Sequence, residues 1–229
     1  MDDLFSNFDL YLRAFGLTVG LFVVSGVVSL VLGALLASLR VGPVTVLARA
    51  AATYVTVVRN TPLLMIFIFM AVAGPRLGFT FKSVEELNVG DWSVSAFFFR
   101  SCIALSLYTS AFVCEALRSG INAVPLGQAE AARSIGLTFA GAMRQVILPQ
   151  AMRAAVPPLT SVQIALLKNT SVAAAFGITE ATFRMKYFTN RNADDRVLIF
   201  VAFAVGYVVL VEILSFAGNR LERRWAVAR

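Results

Sequence analysis

The sequence predicts an all-α membrane protein with five transmembrane helices, and three observations carry that expectation. Hydrophobic residues make up 59% of the chain and charged residues only 14%, against roughly a quarter charged in a soluble globular domain. The mean hydropathy is +0.79. The apolar residues gather in runs near the ~20 residues that a helix needs to cross hydrocarbon, in a chain of 229 residues.

The first run, Ala14 to Leu39, is uncharged and long enough to cross with some tilt. The N-terminus lacks the basic n-region of a cleaved signal peptide, so this run is expected to belong to the mature protein. Its Ser25, Ser29 and Gly33 recur every four residues, and Gly16 and Gly20 share that spacing, a small-residue face for helix packing. A second span runs from Thr53 to Ala73, interrupted by Arg59 and Pro62. A third runs from about Val94 to Ala116 around Arg100. Cys102 and Cys114 stand twelve residues apart in that one run, so a helix would keep them from forming a mutual disulfide. The fourth, Val156 to Ile178, contains Lys168, and the fifth, Val197 to Gly218, contains Glu212. No internal repeat appears, and residues 1–229 read as a single domain.

Loop charge sets the orientation. One side carries ten basic residues, Arg40, Arg49, Arg118, Arg133, Arg144, Arg153, Arg220, Arg223, Arg224 and Arg229. The other carries seven, Arg13, Arg76, Lys82, Arg184, Lys186, Arg191 and Arg196. The positive-inside rule counts Lys and Arg, and so places the N-terminus outside and the C-terminus in the cytoplasm. The net charge of +7 is therefore a topology signal rather than a nucleic-acid footprint.

The segment "QAEAARSIGLTFAGAMRQVILPQ", from Gln128, then lies on the cytoplasmic side. Pro125 suits a helix start, and Gln128 to Ile135 holds good helix formers. Gly136 is placed to end that helix, Thr138 to cap a second one, and Pro149 to limit it. Two short helices with small residues at Ala129, Ala131 and Ala132 and a carboxylate at Glu130 make a docking element for a soluble partner.

Glu130-Ala131-Ala132, then Gly136, then Leu148-Pro149 resemble the EAA loop of ABC importer permeases, with Val146 where the pattern has Ile. "YVTVVRNTPLLMIFIF" resembles the second-helix signature of polar amino-acid permeases, with Asn60 in place of Gly. "LKNTSVAAAFGITE" resembles their Leu-Lys-Asp-Thr-Ser segment, with Asn169 in place of Asp. The stretch from Leu107 to Gly136 is most similar to glutamate-importer permeases of actinobacteria.

The resemblance implies a type I ABC importer permease fold with a cytoplasmic EAA coupling loop over about residues 117–155. It implies an importer of a polar amino acid, glutamate or else glutamine or aspartate, in the plasma (inner) membrane of a bacterium. The implied partners are a cytoplasmic ABC ATPase dimer, an extracytoplasmic amino-acid-binding protein and a second permease subunit; a heterodimer is favoured, with a homodimer as the alternative. Glu130, Ala131, Ala132, Gly136, Leu148 and Pro149 are the implied ATPase-coupling residues. Arg59, Asn60, Thr61, Pro62, Lys168, Asn169, Thr170 and Ser171 are the candidate solute path.

The residues agree with that division of labour. No Gly-x4-Gly-Lys-Ser/Thr loop is present to cradle phosphates, so ATP and Mg belong to a partner and this chain is expected to bind no cofactor. With no histidine and one intramembrane acid, the sequence offers no catalytic constellation and no metal site.

Intramembrane charges must face protein or water. Depth counting predicts that Arg59 pairs with Glu212, places Lys168 near the midplane and gives Arg100 a structural role. Residues 168–171 span nearly a turn, so at most two reach the path, and Lys168 with Ser171 is the favoured pair. Gating or a structural contact is the competing role for Lys168. The segment "TEATFRMKYFTNRNADDR" reads as an external loop, either solvated or touching a binding protein.

Overall fold

Helix follows apolar composition along this chain, and where it breaks, proline or glycine marks the break. The structure, a computed structural model, describes residues 2–81, 88–89, 92–93 and 95–225. Val94, Lys82 and Arg229, used above for a span boundary and for loop charge, lie outside the described residues.

A short α1 (Asp2–Ser6) precedes α2 (Phe8–Val41), α3 (Thr45–Asn60), α4 (Leu63–Val72) and α5 (Ala96–Asn122). An antiparallel pair, β1 (Asn88–Val89) with β2 (Trp92–Ser93), precedes α5 and is the one non-helical element among the described residues. Then come α6 (Leu126–Ser134), α7 (Phe139–Ala142), a π turn (Met143–Ile147), α8 (Leu148–Asn169), a 3-10 stretch (Thr170–Phe176), α9 (Ala181–Arg191) and α10 (Arg196–Trp225).

The most enclosed of these is α5, packed by α2, α3, α4 and α8. The α2 contact is a stripe: Ala14, Thr18, Leu21, Ser25, Ser29, Gly33 and Ala37 are buried at steps of three and four, the spacing of one helix face. Gly33 sits at the closest approach. A Cβ there would run into the Val113 side chain and stand 2.9 Å from the Ser110 carbonyl oxygen. Elsewhere apolar side chains fill the gaps. Leu21, Phe67, Met70, Leu105 and Leu166 form one buried cluster, and Phe15, Phe188, Ile199 and Phe203 form another beside α9.

Three expectations need correction. The second span is two helices meeting at a 100° bend, not one interrupted helix. Pro62 forces Thr61 out of the helical region (φ −94, ψ 128), and the chain restarts in a new direction. The fourth span is α8 followed by the 3-10 stretch. By length and composition three helices qualify as spans (α2, α5 and α10), or four with the bent pair, among the described residues. Pro149 does not end a helix either: the π turn widens the coil, the Leu148 N–H donates to the Met143 carbonyl, and α8 starts with Pro149 in its first turn, where its missing N–H costs nothing.

The segment read as an external loop is largely α9, with Ala181 and Phe188 buried. Its N-cap, Glu180, is fully buried: the carboxylate accepts from the Thr182 and Phe183 backbone N–H groups at 3.0 Å, from Tyr207 at 2.9 Å and from Thr18 at 3.4 Å. Burial pushes the Glu180 carboxyl above its ordinary value, against four hydrogen bonds that favour the charged form.

Replacing Gly33 by Val should overpack the α2–α5 seam and lower stability by about 1–3 kcal/mol. Thermal unfolding of the detergent-purified subunit reads this, with Gly127→Ala as control because a Cβ there meets nothing within 4 Å. Equal melting of the Gly33 variant and wild type would remove the close-approach account.

Candidate functional site

The segment from Pro125 to Pro149 folds as two short helices joined by a tight turn. The Gly136 and Leu137 N–H groups close α6 on the Arg133 and Ala132 carbonyls, with Gly136 at φ +87. That left-handed value is why glycine stands there. Thr138 caps α7, its hydroxyl oxygen accepting from the Gly141 N–H at 3.2 Å. Glu130 and Ala131 face outward, whereas Ala132 is buried within the chain. Of the small residues named for close approach, Ala132 therefore serves internal packing.

Leu126 and Ile135 are 81% and 78% exposed, and Phe139 is exposed beside them. Each stands singly between small residues or proline, so no apolar run announces them in the sequence. Behind the loop, Leu148 lines an apolar cavity of about 460 Å³ with Ala37, Leu117, Phe139 and Met143, which seats the loop against α2 and α5.

The charged centre differs from expectation. Arg59 does not meet Glu212. It lies 3.8 Å from Glu115, which also receives Arg40 in a close hydrogen-bonded pair and Arg118 at 3.7 Å. Depth counting assumed a straight second span, and the bend at Pro62 invalidates it. Glu115 thus ties the last turns of α2 and α3 to α5. Its spacing to Arg118, three residues on, was the available sequence signal. The Arg59 guanidinium also rests 5.6 Å over the Phe112 ring. Arg100 is 8% exposed, stacks 4.3 Å over Phe97 and donates to the Ala96 carbonyl.

Asn60 and Thr61 turn back on α3, donating to the Thr56 and Val57 carbonyls at 2.8 Å each. With Pro62 they form the end and bend of that helix.

Residues 168–171 divide as one turn must. Lys168 and Ser171 line one cavity of about 500 Å³ together with Thr182, Tyr207 and Glu212. Thr170 is buried and donates to the Leu167 carbonyl at 2.7 Å. Asn169 faces a separate notch of about 90 Å³ with Tyr108, Thr109 and Phe112, where the buried Thr109 hydroxyl has no hydrogen-bond partner. None of Arg59, Asn60, Thr61 and Pro62 lines the Lys168 cavity. Among the described residues no group of three or more His, Cys, Asp or Glu could hold a metal ion.

Residues 29–227 match the family described as binding-protein-dependent transport system inner membrane component. The chain is 39% identical over 219 residues to the glutamate transport system permease protein GluC of Corynebacterium efficiens, covering 95% of each. It is 34% identical over 224 residues to the probable glutamine ABC transporter permease protein GlnM of Bacillus subtilis, covering 96% of this chain and 95% of that one. A crystal structure of an amino acid ABC transporter with histidines superposes with a TM-score of 0.82 at 26% identity, over 97% of both chains. The MetNI methionine ABC transporter in an inward-facing form superposes at 0.73 with 22% identity, a likeness of fold alone.

Because one carboxylate receives three guanidinium groups, Glu115→Gln should destabilise the purified subunit more than Arg118→Ala does. The expected loss is about 1.5–3 kcal/mol, the scale of charge-assisted hydrogen bonds. Melting curves at low and high salt decide it; a Glu115 variant as stable as wild type would mean the network contributes nothing.

Proposed function

The chain belongs to the binding-protein-dependent transport system inner membrane component family, and from that premise we propose how it works as a permease of a polar amino-acid importer. It is a transport subunit and not an enzyme. The solute we assign is glutamate, with glutamine or aspartate as alternatives. The single observation that carries this is the 39% identity to a glutamate transport permease across 95% of both chains. A permease named for glutamate/aspartate import, GltJ of Escherichia coli, is 30% identical over 92% of this chain.

The proposed assembly has two permeases, an ATPase pair that binds ATP and Mg, and an external binding protein, in the plasma membrane. Separate permeases GlnM and GlnP in Bacillus subtilis, both similar to this chain, support a heterodimer. Residues 1–229 act as one domain with five crossings, N-terminus outside. The crossing beyond those four is α8, fourth in chain order, whose composition alone does not qualify it. It packs between α5 and α10, and a helix sheltered by protein can carry Lys168 and two internal prolines that lipid would reject.

Glu130, Ala131, Gly136, Leu148 and Pro149 form the docking unit, with Ala132 as its internal packing contact. Glu130 offers the partner a directional charge, Leu126 and Ile135 offer apolar area, and the Gly136 turn fixes the angle between them. Lys168 and Ser171 line the solute path, and Asn169 lines its adjoining notch. Arg59, Asn60, Thr61, Pro62 and Thr170 support the path by setting helix ends rather than by touching solute.

ATP hydrolysis by the purified assembly, with the binding protein present, should be stimulated most by glutamate among a panel of amino acids. A flat response from an intact, active assembly would refute the substrate assignment. Glu130→Ala should weaken ATPase affinity by about ten- to a hundredfold, the equivalent of ~1.5–3 kcal/mol. Gly136→Ala and Gly136→Trp should uncouple import to a similar degree, because space at that position is open and the obstacle is the positive φ. Normal ATPase co-purification with normal uptake in these variants would end the docking assignment.

A further inference from the structure

We propose that Glu212 is a solute-contacting, specificity-determining residue: with Lys168 across the same cavity it holds the zwitterionic head of an α-amino acid, Glu212 taking the ammonium and Lys168 the carboxylate. The inference rests on the amino-acid importer reading above and adds which groups of the solute are recognised.

Geometry carries it. Lys168 ends α8, Glu212 lies in the membrane-spanning part of α10, and both side chains line one cavity of about 500 Å³. That volume is within the usual range for small-molecule sites. Both side chains are exposed, and neither has a salt-bridge partner within 4 Å among the described residues. A carboxylate and an ammonium cannot both face hydrocarbon, so water, solute or the second permease of the proposed assembly must cover them. Two opposite charges facing one space match a solute whose ammonium and carboxylate are carried on the same α-carbon.

The remaining wall suits the rest of an amino acid. Met185, Phe203, Val208 and Val211 present apolar area to a methylene stem. The nearby hydroxyls are already committed: Tyr207 donates to Glu180 at 2.9 Å, Thr182 lies 3.1 Å from Tyr207, and Ser171 donates to the Lys168 carbonyl at 2.7 Å. Charge recognition therefore falls to Lys168 and Glu212.

The competing sites are weaker. Glu115 is occupied by three arginines and cannot take an ammonium. The Asn169 notch, about 90 Å³, holds no charged side chain and is too small for a whole amino acid.

The test is equilibrium binding of radiolabelled glutamate to the purified permease–ATPase assembly without binding protein. Glutarate, which lacks only the α-ammonium, serves as competitor. Wild type should prefer glutamate over glutarate by at least about tenfold. Glu212→Gln should lose about tenfold for glutamate while leaving glutarate unchanged, and Glu212→Asp should keep the preference. Equal affinity of wild type for glutamate and glutarate would overturn the proposal, even if Glu212→Gln fails to assemble. So would a Glu212→Gln assembly that binds glutamate like wild type, or one that loses both ligands alike, which would make Glu212 a structural partner of Lys168. Absence of saturable binding in an assembly that still imports glutamate would overturn this inference alone. Absence of amino-acid import would instead refute the importer reading.

Discussion

A charge withdrawn from bulk water must be matched by protein or reached by water, and the three acids at Glu115, Glu180 and Glu212 show the two ways this chain answers that requirement. Glu115 is over-matched, with Arg40, Arg59 and Arg118 around it. Glu180 is saturated by two backbone N–H groups and two hydroxyls. Both are ties: Glu115 fastens the ends of α2 and α3 to α5, and Glu180 fastens the start of α9 to α2 through Thr18 and to α10 through Tyr207. Glu212 is tied to nothing within the chain. Saturation marks the first two as structural and its absence marks the third as available to a ligand.

These ties also define what can move. The loop of α6 and α7 continues through the π turn directly into α8, whose last turn carries Lys168. At 1.5 Å per residue its 22 residues span roughly 33 Å, so one helix joins the proposed docking surface to the cavity. Its compliant points are the π turn and the Pro157–Pro158 pair, where backbone hydrogen bonds are interrupted. The opposite cavity wall, α10, is held at Tyr207 by Glu180.

Much of this was legible in the sequence because it depends on local rules. Pro125, Gly136 and Thr138 set the loop helices where turn and cap chemistry put them, and Lys168 and Ser171, three apart, line one cavity while Asn169 faces another notch and Thr170 is buried. What was not legible depended on direction in space. Thr61-Pro62 announced a break but not a 100° turn, and the partner assigned to Arg59 from a straight span inherited the error. Glu180 read as loop because a polar stretch of mixed charge looks solvated; only the packing of Phe188 and Tyr207 around it buries the carboxylate. The Pro149 misreading was of another kind, since a π turn has no residue signature that periodicity can detect.

A cavity carrying two unpaired opposite charges also suits import better than one preformed for tight binding. A transport site must accept its solute and then release it, so affinity beyond what capture needs slows turnover. With solute present, the ammonium and carboxylate of the amino acid satisfy Glu212 and Lys168. With solute gone, neither charge has a salt-bridge partner within 4 Å among the described residues, so the site stays open to the next solute. Arginine around Glu115 cannot behave this way, because Arg40 already closes on the carboxylate and no solute is needed to satisfy it. The same chemistry, a carboxylate facing cations, therefore fastens helices where the partners touch and is open to a solute where the two charges line one cavity without pairing.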